Sequence, residues 1–191
     1  MGKDIPMVSK LLKAMILEDY VDAMDIVTDE KFDPNEKTKS WGAPIISALI
    51  TVLYGEKSKN LSADAKAVFK AIISHKDFNP NLTDRENETI MMEIARGKDF
   101  NWLAPFLLNC KDIDLSIKNY MGRTALDIAS FSKNTVIRDI LMTYNIKEVA
   151  KYQPKKTVGR KKKKTTAPQV TVSEKKNILQ NIENILLFFS F

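Results

Sequence analysis

The sequence predicts an all-α protein built from repeated helix–turn–helix units, on three observations. First, a turn-forming segment recurs with an apolar leading residue each time. Phe32, Phe78 and Ile113 stand 46 and 35 residues apart. Second, Ala43, Thr89 and Thr124, where helices are expected to start, keep the same two spacings. Third, apolar residues between these landmarks fall three and four positions apart, the period of one helix face.

Each unit reads as turn, helix, tight loop, helix. In the first, Phe32-Asp33-Pro34-Asn35 leads to Gly42-Ala43-Pro44-Ile45-Ile46-Ser47-Ala48. Ile45, Leu49 and Val52 form its first stripe, and Val68, Ile72 and Ile73 its second. The stretch from Gly55 to Asp64 is longer than its counterparts and accounts for the wider spacing. In the second, Phe78-Asn79-Pro80-Asn81 leads to a helix from Thr89 carrying Met91 and Ala95, broken at Arg96-Gly97-Lys98. Trp102, Leu103, Phe106 and Leu107 make its second stripe, with Trp102 expected in the core. Pro105 fits there only within a helix's first turn, where N–H groups lack partners. In the third, Ile113-Asp114-Leu115-Ser116 precedes Gly122-Arg123-Thr124, and Thr124 is a natural N-cap. Leu126 and Ala129 are expected on its buried face, followed by Val136, Ile137, Ile140 and Leu141.

Gly122-Arg-Thr-Ala-Leu-Asp-Ile-Ala129 resembles the ankyrin-repeat signature G-x-T-P-L-H-x-A, and the whole of residues 5–146 is similar to a divergent array of that family. Leu11-Leu12-Lys13-Ala14 and Glu18 to Met24 resemble a first repeat, giving about four. The family's helix-start His, which ties neighbouring repeats by hydrogen bonds, is replaced by Ile46, Met92 and Asp127. The resemblance implies an ankyrin-like solenoid with short connecting turns. Its turns and first helices would line a concave surface that binds another protein.

Three regions are expected: a repeat domain over 1–150, a basic linker over 151–172, and an amphipathic C-terminal helix over 173–191. The net charge of +6 is confined to the linker. Lys155, Lys156, Arg160, Lys161, Lys162, Lys163 and Lys164 are seven cations without an acid among them, so the remainder sums to about −1. Such a segment buries too little to order itself when free. It could contact the phosphates of nucleic acid without reading bases, meet an anionic surface, act as an import signal, or serve as a plain linker. Ile178, Leu179, Ile182, Ile185, Leu186 and Phe189 form an apolar stripe. That helix is expected to dock on a partner, a second copy or the repeat array, since an uncovered stripe invites aggregation.

The residue inventory argues against catalysis. His75 is the single histidine and reads as a solvated residue at a helix end. Cys110 is the single cysteine and reads as a small buried residue at a repeat junction. One of each cannot make a structural zinc site. No two of the six glycines are spaced for a nucleotide-binding loop. No cofactor and no metal are therefore expected. Met1 to Lys10 lacks the apolar run of a secretory signal, and no apolar run reaches the ~18 residues of a membrane span. The expected location is intracellular: cytoplasm, nucleus or virion. Three sequons, at Asn60, Asn81 and Asn87, then read as chance.

The expected function is a non-enzymatic protein-interaction module or assembly subunit. Exposed turn residues Lys39, Trp41, Arg85, Asn87, Tyr120 and Arg123 are the candidates for partner binding, because aromatics and arginines anchor interfaces. The alternatives are a nucleic-acid-associated packaging or ribosome-linked protein using the basic segment, and a host-directed bacterial or viral ankyrin effector.

Overall fold

The computed structural model describes residues 6–39, 42–55 and 60–151, with side chains placed as far as Tyr144. Among these residues the chain is helical, without a strand. The elements are α1 (Met7–Ile16), α2 (Tyr20–Thr28), α3 (Ile45–Leu53), α4 (Ala63–Ile73), α5 (Ile90–Arg96), a 3-10 turn (Asn101–Leu103), α6 (Ala104–Leu108), α7 (Ala125–Phe131) and α8 (Thr135–Lys151). The basic run from Lys155 and the expected C-terminal helix lie outside the described residues, as does Trp41.

The chain divides into two compact units, one ending at Ile137 and the other starting at Arg138. In the second unit, the described part continues α8. Arg138 pairs with Asp139 at 2.8 Å, and Thr143 Oγ1 donates to the Asp139 carbonyl at 2.8 Å.

In the first unit, helices come in pairs that pack like on like. The first helices touch in chain order, α1 with α3, α3 with α5 and α5 with α7; the second helices do the same, α2 with α4 and α4 with α6. α3 shows why the stack has an interior. Its sequence Ile45-Ile-Ser-Ala-Leu-Ile-Thr-Val-Leu53 is apolar around most of its circumference, and seven of its nine residues are buried. α1, at the end of the row, buries only one face: Val8, Leu11, Ala14 and Met15. Phe69 on α4 is fully buried, and Phe100 and Trp102 pack against its ring at 5.7 and 5.9 Å.

Helix starts follow the expected chemistry. Thr124 caps α7 in a reciprocal capping box with Asp127. Thr89 accepts from Met92 N–H at 3.4 Å, and Ser62 from Ala65 N–H at 3.0 Å. Pro105 sits in the first turn of α6, where its missing N–H costs nothing.

Several expectations need correction. The helix-start register slips by one residue in the first unit. Thr38 N–H donates to Ala43 O, Asp84 N–H to Glu88 O, and Asn119 N–H to Arg123 O. Ala43 therefore corresponds to Glu88 and Arg123, and Pro44, not Ala43, corresponds to Thr89 and Thr124. The left-handed residues Gly42, Asn87 and Gly122 confirm this offset. The first turn carries one extra residue, and Ser47, not Ile46, holds the helix-start position of the first unit. In α7 the inward face is Ala125, Ile128 and Ala129, whereas Leu126 is half-buried. Trp102 is half-buried, because the 3-10 turn that precedes α6 turns Leu103 inward in its place. Cys110 is half-buried as well, and Val136 is exposed while Ile137 and Leu141 are buried. His75 follows the end of α4 as expected. It is half-buried, with its ring edge-on to Phe32 at 6.2 Å and its Nδ1 accepting from Asp77 N–H.

Candidate partner-binding face

The three turns that lead into α3, α5 and α7 share one construction. A short polar side chain accepts backbone N–H groups around the bend. Thr38 Oγ1 accepts from Ala43 N–H at 3.2 Å, Asp84 Oδ1 from Glu86 and Glu88 N–H at 2.8 Å, and Asn119 Oδ1 from Met121 and Arg123 N–H at 3.0 Å. These side chains replace the backbone partners that a tight turn leaves unmade. A residue with positive φ closes each turn. At Gly42 (φ 62°) the left-handed backbone favours glycine, and an added Cβ would also crowd the exposed Arg85 side chain, whose Cγ and Nε it would meet at 3.3 Å.

Hydrogen bonds link successive turns into a ladder. Asn35 Nδ2 donates to Asp77 O at 2.6 Å, and Asn35 Oδ1 accepts from Asn79 N–H at 2.8 Å. Asn81 repeats both bonds with Asp112 O and Asp114 N–H at the same distances. Nearer the tips, Lys37 Nζ donates to Thr83 O, Asn87 Nδ2 to Lys118 O, and Tyr120 N–H to Glu86 O.

The ladder sorts the candidate residues. Asn87 holds the left-handed corner and spends its amide on Lys118, so it builds the face and does not project from it. Arg85 is exposed and lies across Gly42 of the preceding turn. Arg123 is half-buried, its guanidinium 4.7 Å from the Phe131 ring centre. Lys39 is exposed. Tyr120 is 79% exposed and its neighbour Met121 70%, the most open large apolar side chains on these turns. Lys39, Arg85 and Tyr120 are therefore exposed, while Arg123 stacks on Phe131.

Two acidic side chains, not singled out by periodicity, sit behind this edge. Glu88 is buried, and burial alone pushes its carboxyl up. Hydrogen bonds from Arg96 and from Asn119, with the charge of Arg96, outweigh that and hold it below the usual carboxylate value. Glu93 differs. Burial raises its carboxyl to about 7, against the lowering effect of hydrogen bonds from Ser47 and Thr51. Thr51 Oγ1 donates to it from α3 at 3.2 Å. Ser47, at the helix-start position of its unit, thus helps to tie α3 to α5. Glu93 stands as an acid inside the apolar run Ile90 to Ala95, a place where a charge needs a reason, whereas no pattern in the sequence marks Glu88.

Glu93 borders a cavity of about 260 Å³ between α3 and α5, lined also by Ile50, Thr51, Tyr54, Ile94, Arg96, Gly97 and Phe100. A wider groove of about 510 Å³ runs between α1 and α2, with Lys10, Lys13 and four aspartates along it. Among the described residues no cluster of His, Cys, Asp or Glu is placed to hold a metal. Burial pushes the Cys110 thiol up, away from the thiolate a nucleophile needs. Among the same residues, no helix is long and apolar enough to cross a membrane. Neither a family model nor a curated protein matches the chain.

Proposed function

We propose that the first unit is an ankyrin-like array that binds another protein through its turn edge and first helices, and that the chain acts inside cells as an interaction module without catalysing a reaction. The observation that supports this most is the repeated turn. One design appears three times, with one extra residue in the first turn: a polar bracket at Thr38, Asp84 and Asn119 and a left-handed corner at Gly42, Asn87 and Gly122. Successive copies are cross-bonded through backbone and side chain, which favours one shape for the edge before a partner arrives. Preorganisation of this kind lowers the entropic cost of association. The edge also leaves Lys39, Arg85 and Tyr120 unspent, a mixture of cations and an aromatic suited to an interface.

The test is a double substitution, Arg85→Ala with Tyr120→Ala, in the full chain. Both side chains are exposed, so the melting temperature should not move. Proteins recovered with the wild type by affinity capture from a cell extract, identified by mass spectrometry and verified with purified partner, should be lost with the variant. Equal binding of a purified partner by both forms would overturn the turn-edge reading.

A further inference from the structure

We propose that the cavity between α3 and α5 is a subsite for a basic side chain of the partner polypeptide, with its charged head on the Glu93 carboxylate and its alkyl stem along Ile50, Tyr54 and Phe100. This rests on the partner-binding reading and gives that partner a chemistry.

The lining is arranged for a cation. One lining residue is a carboxylate with two hydroxyl neighbours, and among the described residues no lysine or arginine reaches it at ion-pair distance. Arg96 also borders the cavity, but its guanidinium is held in an ion pair with Glu88. Asp84 and Arg96 are the charged groups that act on Glu93, and the α3 groups facing it, Ser47 and Thr51, are neutral. Two of the lining residues, Tyr54 and Phe100, are aromatic. Tyr54, 62% exposed at the mouth, lies over Gly97, where an added Cβ would meet its ring at 3.3 Å. Ring faces attract ammonium and guanidinium groups. The cavity also opens where two helices end: Tyr54 is the C-cap of α3 and Gly97 of α5. Helix C-termini carry partial negative charge and favour cations. Carboxylate, aromatic rings and two helix ends thus favour a cation, against the Arg96 guanidinium, whose charge is paired with Glu88.

The acid itself supplies a signature. A carboxyl raised to about 7 by burial is mostly protonated at pH 6 and mostly ionised at pH 8. A cation that needs the ionised form should bind about tenfold more tightly at pH 8, while an alkylamine stays charged throughout.

The test uses n-butylammonium chloride as a lysine-head probe on the full-length protein, followed by amide NMR shifts of Thr51, Gly97 and Phe100. Saturable shifts are expected, about tenfold tighter at pH 8 than at pH 6. Butan-1-ol, the neutral analogue, should bind far more weakly. Glu93→Gln should weaken the amine about tenfold and abolish the pH dependence. Tyr54→Ala, at an exposed position, should weaken it about threefold without touching the core. A flat pH profile in the wild type, equal binding of butanol, or shifts no larger than those from sodium chloride would each overturn the subsite, whatever the variants do. Its failure is distinguishable from failure of the interaction reading. The turn-edge double variant leaves the cavity intact, and the amine titration needs no partner.

Discussion

Single side chains carry much of the specificity of this structure, and Glu93 exposes its cost most directly. Its folded value of about 7 lies above the ordinary carboxylate value, so between those limits the native state holds a proton that the unfolded chain releases. Stability must fall as pH rises through that window, because the unfolded state then binds fewer protons. Glu93→Gln keeps the shape without the charge. Urea melts should show the variant more stable than wild type by about 1–3 kcal/mol at pH 8, with the gap closing near pH 5. A constant gap would mean that the acid does not titrate in this range. Asn134 is the opposite case, a buried amide that is fully used. Its Nδ2 donates to the carbonyls of Ile94 and Gly97 at the end of α5, and its Oδ1 accepts from Ile137 N–H at the start of α8. Asn134→Ala strands those groups, and chemical denaturation should show a loss of about 2–4 kcal/mol. Gly42→Ala forces an L-residue to φ 62° and drives its Cβ at Arg85; a cost of about 1–2 kcal/mol is expected in the same assay.

At the scale of elements, short helices depend on their ends and on which face turns inward. α7 has only seven residues, too few to hold without tertiary contacts. Its capping box satisfies the free N–H groups of the first turn, and Thr124→Ala should cost about 1 kcal/mol. Its buried stripe predicts an order that periodicity alone did not. Ile128→Ala, from a side chain 4% exposed, should cost about 2–5 kcal/mol, and Leu126→Ala clearly less, as read by the midpoint of a thermal or urea melt. The reverse order would mean that α7 is rotated about its axis. Placing the stripe from sequence failed here for a definite reason. Leu126 and Ala129 are one inward-looking pair, but Ala125, Ile128 and Ala129 are another, and only the packing of α5 against α7 selects between them. Trp102 failed likewise, because a 3-10 turn changes which residue faces Phe69.

For the molecule as a whole, helix on helix with no strand among the described residues predicts a helical far-UV circular dichroism spectrum, and a strand-dominated one would contradict the fold. The sequence by itself determined the helical class, the Thr124 cap and the place of Pro105. All of these are local: they depend on apolar period, on free N–H groups at a helix start and on proline's missing donor. The same locality placed Lys39, Arg85 and Tyr120 on turns. The tertiary structure decided what required two distant segments to meet. It set the one-residue offset of the first turn, because only cross-turn hydrogen bonds show which residue answers Thr89. It turned Asn87 from a candidate contact into a strut. It also made Glu93 part of a cavity lining, since a carboxyl on α5 acquires a raised affinity for its proton only when packing against it removes water. Residues brought together by burial leave no period in the chain, and that is why they had to be seen folded.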